Sequence, residues 1–235
     1  MLVLMLSGLT PICWPWAYYA PSLLEWHDVT VFQVWSLAIA CYMIHGFLLE
    51  SLPLPQLQPS TQKPPLSLLI PRVTFNLSSA LVLTSISRPS HHVSDWDACV
   101  YLVLAAIGNE IIYACIHRLL HTKPLFKYHS LHHQLRAPRP LGAVYCSLVE
   151  MWIANLASFL LPLVWTDAPI QIYLIWIISG IQTTQIHHSG KAWPWPLSLG
   201  HQPRFHDDHH RFVCRNFGNI GFFEFALKKA PKKIH

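Results

Sequence analysis

The chain has 235 residues, 52% of them hydrophobic and 11% charged, with a formal net charge of +5. So few charged side chains cannot cover the surface of a soluble domain this size, and neither disorder nor a collagen-like repeat fits the composition. Lys and Arg are spread over loops between apolar stretches, so the positive balance reads as a membrane-topology signal rather than a nucleic-acid footprint.

Residues 1–24 are apolar but broken by Pro11, Pro15 and Pro21 and carry no basic leader, which suits a re-entrant or interfacial segment. Residues 29–49 are long enough, at about 1.5 Å per residue, to cross a hydrocarbon core of roughly 30 Å. Residues 51–65 hold Pro53, Pro55, Pro59, Pro64 and Pro65 and read as a linker that cannot sustain a helix. Residues 66–86 are a weaker span, interrupted by Pro71, Arg72 and Asn76, whereas 97–116 form a span running straight into His117. Residues 141–165 and 168–186 make a helical hairpin, separated only by Thr166 and Asp167. The expected fold is all-α: an integral membrane helical bundle of roughly four spans with a cytosolic, histidine-rich helical cap. Cysteines 13, 41, 99, 115, 146 and 214 form no CxxC pair and read as unpaired packing residues.

Parity fixes a topology. The residues after His117 and those after Ile186 are separated by two crossings and so share one side. Thirteen of the 16 Lys and Arg fall there: Arg118, Lys123, Lys127, Arg136 and Arg139, then Lys191, Arg204, Arg211, Arg215, Lys228, Lys229, Lys232 and Lys233. The positive-inside bias makes that side cytosolic.

The 16 His are the main clue to function. In these two regions they recur as His117-Arg-Leu-Leu-His121, His129-Ser-Leu-His132-His133 and His206-Asp-Asp-His209-His210. Offsets of three and four place side chains on one helical face, close enough to converge on a metal. At this His frequency the HxxHH pattern is expected about 0.07 times by chance, and it occurs twice. Eight His exceed the four to six ligands of one transition metal, so two ions are implied, and imidazole alone does not choose among iron, zinc and copper. Arg118 stands where a zinc peptidase needs Glu. Glu110, two turns before His117 in an apolar span, and Asp207 and Asp208 are candidates to support the ligands. His27, His45, His91 and His92 lack partners at ligand spacing, and His201 reads as a neighbour of the site.

With these three boxes in this order, residues 109–218 resemble the membrane fatty acid hydroxylase and sterol desaturase superfamily. His188-Ser189-Gly190-Lys191-Ala192-Trp193-Pro194-Trp195 is similar to a segment of its C-4 methylsterol oxidase branch, in which Tyr and Asp stand in place of Lys191 and Ala192. Glu150 matches a Glu that the branch places after the second box.

The resemblance implies two irons held by His117, His121, His129, His132, His133, His188, His206, His209 and His210, with His187 the rival of His188. It divides the chain into N-terminal membrane segments and linker (1–95), a fatty acid hydroxylase-like di-iron domain (96–228) and a basic tail (229–235). It implies an O2-dependent oxidoreductase that hydroxylates or desaturates a lipophilic substrate, a sterol or terpenoid before a fatty-acyl lipid. Electrons are expected from NAD(P)H through cytochrome b5 or a similar carrier, because Gly218-Asn219-Ile220-Gly221 is no dinucleotide site. Trp193, Trp195 and Phe205 are candidates to line the substrate's entrance. Lys232 and Lys233, third and fourth from the end, look like a dilysine signal for the endoplasmic reticulum. The rival classes are a non-catalytic, metal-stapled membrane protein and a zinc-dependent membrane hydrolase.

Overall fold

The computed structural model describes residues 30–85, 93–193, 202–219 and 221. The segment 1–24, His27, His91, His92, Trp195, His201 and the 229–235 tail lie outside the described residues.

Helix α1 (Val31–Ser51) starts at a reciprocal cap: Thr30 Oγ1 accepts from the Gln33 amide at 3.2 Å, and the Gln33 side chain accepts from the Thr30 amide at 2.7 Å. Helix α2 (Leu66–Ser79) begins directly after Pro65, accommodates Pro71, and tightens into a 3-10 turn at Ala80–Ser85. Helix α3 (Asp95–Leu120) is capped by Ser94 and carries Asp95 and Asp97 in its first turn, where the helix dipole favours them. Three 3-10 turns follow, Phe126–Tyr128, His132–Gln134 and Pro140–Gly142. Helix α4 (Leu148–Trp165) contains a π-helical stretch at Met151–Ala157, and α5 (Ile170–His187) and α6 (Gln202–Phe212) complete the set. Among the described residues there is no strand, only an isolated bridge between Gln56 and Lys191.

Four helices are long and apolar enough to cross a membrane: Val31–Ser51, Leu66–Leu83, Asp95–Leu120 and Leu148–Trp165. The second was the weakest in sequence, and Asn76 explains why it holds. Its buried Nδ2 donates to the carbonyls of Val144 at 2.8 Å and Cys146 at 3.0 Å, so its donors are satisfied inside the protein. Outward-facing Phe47, Phe75, Ile107 and Trp165 stay exposed, as lipid-facing side chains do.

Helix α5 is different. Gln171, Gln182 and Gln185 make it too polar to face lipid, and all three are buried. Gln185 donates to the Tyr42 carbonyl at 2.8 Å and lies 2.8 Å from His45 Nδ1, which ties α5 to α1. Gly46 permits this approach, since a Cβ there would meet Gln185 Nε2 at 2.7 Å.

The stretch 141–165, expected as one hairpin arm, becomes helical only at Leu148. Ser147 starts the helix by accepting from the Glu150 amide, and the carbonyls before it are taken by Asn76. The Thr166–Asp167 turn is tight as expected, with Asp167 at φ 50° and the Ala168 amide donating to Leu163 at 3.0 Å.

The proline-rich stretch is no loose linker. Leu57 donates to the Gly190 carbonyl at 2.9 Å and Ala192 to the Pro55 carbonyl at 2.8 Å. The buried Lys191 ammonium donates to the carbonyls of Leu49, Glu50 and Leu52 at 2.6, 3.0 and 2.6 Å, capping α1. Proline removes helical alternatives and leaves extended backbone that pairs with the turn after His188. Arg139 adds a two-pronged pair with Glu50 at 2.8 and 3.0 Å.

Two cores result. One gathers Val34, Leu102, Leu163, Ile172 and Trp176 toward the α4–α5 turn. The other packs Tyr42, Leu69, Val73, Leu135, Leu141 and Tyr145 beneath the histidine-bearing loops.

Candidate metal centre

The last turn of α3 presents His117, and His121, one turn on, ends the helix. The second box is not the α-helix its spacing suggested. It is built on successive 3-10 turns, with the His132 amide donating to His129 at 3.0 Å. Ser147 Oγ donates to the Tyr128 carbonyl at 2.5 Å, fixing this turn to the start of α4. His188 ends α5, and α6 carries the third box.

Nine rings assemble into two adjacent groups: His117, His121, His129, His133 and His209 in one, His132, His188, His206 and His210 in the other. Within each group the ring nitrogens lie within 4.8 Å of one another. Each HxxHH box is split. Its first and fifth positions share a group and its fourth points to the other, in the third box because adjacent α-helical side chains diverge by about 100°. The two boxes are split in opposite senses, so His132 joins the third box's outer pair and His209 joins the second's.

The ring nitrogens fit a cation. In the larger group the Nε2 separations are 3.0 Å for His117–His129, 3.2 Å for His121–His133, 3.0 Å for His129–His133 and 3.1 Å for His133–His209. In the smaller they are 3.3 Å for His132–His188, 2.9 Å for His188–His206 and 3.0 Å for His206–His210. Metal–imidazole bonds of about 2.0–2.1 Å place neighbouring donors about 3 Å apart. In several rings the other nitrogen is already engaged. His117 Nδ1 donates to the Phe217 carbonyl at 2.7 Å, His209 to Arg215 at 2.6 Å, His132 to Tyr145 at 3.2 Å and His188 to Thr184 at 2.8 Å. These bonds leave Nε2 lone pairs facing one another, which repel unless a positive ion lies between them. His133 and His210 bury Nδ1 without a partner.

Burial, reinforced by neighbouring rings, keeps the imidazoles neutral. It pushes His121 down to about 2 and His209 to about 3 from the ordinary 6.5, and burial alone takes His129 to about 3. His132, His133, His188, His206 and His210 shift in the same direction for the same first reason. Neutral imidazole is the ligating form.

Glu150 is buried with a carboxylate oxygen 2.9 Å from His129 Nδ1. Glu110 accepts from the Asn219 amide at 2.9 Å, holding the segment whose Phe217 carbonyl orients His117. Asp207 is buried and accepts from Gln58 at 3.1 Å, and burial raises its carboxyl. Asp208 turns away to an outlying pair with Arg215 at 3.4 Å. His187 is buried but belongs to neither group. The orienting carbonyls of Thr184, Tyr145, Arg215 and Phe217 escaped sequence reasoning, since a backbone acceptor carries no residue signature.

A cavity of about 480 Å³ runs inside the bundle from Val31 and Ile170 to His132, His188 and His206. It is bordered by three rings of the four-ring group and by none of the five-ring group. Trp193 and Phe205 do not line it; the Trp193 indole donates to Ser189 at 2.9 Å, and Phe205 lies beside Gly221.

The family model described as fatty acid hydroxylase matches residues 102–227, which carry every ring of both groups. The chain belongs to the fatty acid hydroxylase family. Curated relatives include a methylsterol monooxygenase of Aspergillus fumigatus, 30% identical over 61% of this chain and 51% of the relative. A fatty acid hydroxylase of Mycosarcoma maydis is 27% identical over 58% of this chain and 33% of the relative. A very-long-chain aldehyde decarbonylase of Oryza sativa subsp. indica is 31% identical over 56% and 52%. The matched stretches thus span between a third and about half of these relatives' lengths. No solved structure matches this fatty acid hydroxylase family member.

Proposed function

We propose that the chain is a membrane di-iron oxygenase that hydroxylates or desaturates an unactivated C–H position of a lipophilic substrate. A sterol or related terpenoid is the first choice and a fatty-acyl lipid the second. The observation that carries the reading is the four-ring group at the inner end of an apolar cavity within the helical bundle. Relatives named for sterol oxidation and fatty acid hydroxylation support it.

His117, His121, His129, His133 and His209 would hold one iron and His132, His188, His206 and His210 the other. When bound, the irons supply the reductive use of dioxygen that breaks a C–H bond. The chain's own part is positional. Carbonyls of Phe217, Arg215, Tyr145 and Thr184 hold Nδ1 protons and keep each ring facing inward. The apolar lining aligns the substrate and excludes water. Electrons come from a separate carrier of the cytochrome b5 type fed by NAD(P)H, for which the basic loops provide a docking charge. The protein resides in the endoplasmic reticulum membrane with its histidine boxes and C-terminus cytosolic, in keeping with the clustering of Lys and Arg around the histidine boxes.

Metal analysis and oxygen uptake of the full chain in lipid nanodiscs test this reading. Two irons per chain and reductant-dependent uptake are expected; stoichiometric zinc without uptake rejects it. Lipid and terpenoid extracts of cells with and without the chain then identify the substrate.

A further inference from the structure

The proline-rich stretch, residues 55–64, lies ahead of the family-matched residues 102–227 and borders no part of the cavity. It nevertheless touches all three segments that carry the four-ring group. Leu57 and Lys63 reach the His188 turn, at the carbonyls of Gly190 (2.9 Å) and Ser189 (3.4 Å). Gln58 spans the other two: its Nε2 donates to the Arg136 carbonyl, just past the second box, at 2.8 Å and to the Asp207 carboxylate, next to His206, at 3.1 Å. The turn that follows aims this amide. Thr61 donates its backbone N–H to the Gln58 carbonyl at 3.2 Å and its hydroxyl to Gln58 Oε1 at 3.3 Å, which leaves both Nε2 protons for Arg136 and Asp207.

Asp207 is 4% exposed, and its other oxygen, Oδ1, has no hydrogen-bond partner among the described residues. Without Gln58 the buried carboxylate would have to turn toward water, and α6 with it. The third box is sensitive to such a shift. Carbonyls of Tyr145 and Thr184 orient His132 and His188, whereas His210 buries Nδ1 without a partner and depends on where α6 is held.

We infer that Gln58 is a positioning residue for the four-ring group: by joining the second-box loop to α6, it holds His132 and the pair His206 and His210 at the separation one ion requires. The inference rests on the two-metal part of the proposed function and not on its substrate. A segment outside the matched residues thus governs how firmly one of the two ions is kept.

The test loads the full chain with iron(II) anaerobically in phosphatidylcholine nanodiscs and follows release to a chelator. Wild type should release iron in two phases, one of which His132→Ala lacks. Gln58→Leu, similar in size but without a donor, should speed that phase about tenfold and leave the other within about twofold. Gln58→Lys, whose ammonium can donate to the same two oxygens, should bring it back to within about threefold of wild type. Gln58→Glu, which sets carboxylate against carboxylate, should release faster than Gln58→Leu. Iron(II) titration of the metal-free chains should give the same ranking in the affinity of one equivalent only. Should Gln58→Leu not fold, Asp207→Asn, which trades a charged acceptor for a neutral one, should speed the same phase about threefold, and no change there overturns the inference. Equal acceleration of both phases overturns it by marking general loosening, and failure of Gln58→Lys to rescue overturns it by showing that the donor is irrelevant. Two-phase release in wild type with no change in Gln58→Leu sinks the clasp and leaves the two-metal reading standing. A wild-type chain that holds no iron sinks both.

Discussion

The two ring groups use the same ligand type and lie side by side, yet they are built for different exposure. The five-ring group is enclosed by Phe126 and Phe217, whose rings sit 5.7 and 5.0 Å from that of His121, and by the Glu150 carboxylate at His129. The four-ring group has one ring fewer and meets the cavity through three of its members. Donor number and wall, rather than donor chemistry, separate a saturated site from one with room for reactants.

The largest effect that can break this comparison comes from removing a ring from each side. His132→Ala and His121→Ala should each abolish turnover, by at least about a thousandfold, and each should cost one metal equivalent. Chelation should separate them: wild type should release its metal in two phases, with His132→Ala lacking the faster and His121→Ala the slower. A single common phase would erase the distinction.

Acid should act on both groups through their neutral rings. The unfolded chain takes up protons near pH 6.5 that the folded rings refuse until about pH 3. Stability of the metal-free protein is therefore fully present above about 6.5 and should fall progressively as pH drops toward 3. Thermal unfolding after chelation, between pH 8 and 4, reads this directly; a flat profile contradicts it.

Supports should act on one group each. Gly190 has φ 61°, and a Cβ there would lie 2.7 Å from the Pro138 carbonyl, so Gly190→Ala displaces the His188 turn. It should weaken the four-ring group about 10–100-fold, and Glu150→Gln the five-ring group about tenfold, in metal titrations of the two chelation phases. Smallest is Asp208→Asn. Its half-open pair with Arg215 should contribute less than about 1 kcal/mol to thermal stability and leave both phases unchanged.

Six of the rings were legible because repeated HxxHH spacing is rare enough to stand out, His117 and His121 followed from the preceding HxxxH, His188 came only from the family resemblance, and the apolar runs announced a membrane bundle. Their allocation was not. The spacing gathers His129, His132 and His133, as it gathers His206, His209 and His210, but it does not say that the fourth position of each box turns to the opposite group. The proline-rich stretch gave no helix signal, so its pairing with residues 190–192 depends on contacts distant in sequence. Lys191, conspicuous in sequence only as a departure from the related segment, proves to cap α1.

The glutamines of α5 bear on how the molecule is made. Too hydrophilic to partition into lipid alone, this helix depends on α1 and α3 as a sheath, so biogenesis must deliver a partly assembled bundle before α5 settles. Because His188 arrives on the end of that helix, the four-ring group can close only after α5 has settled.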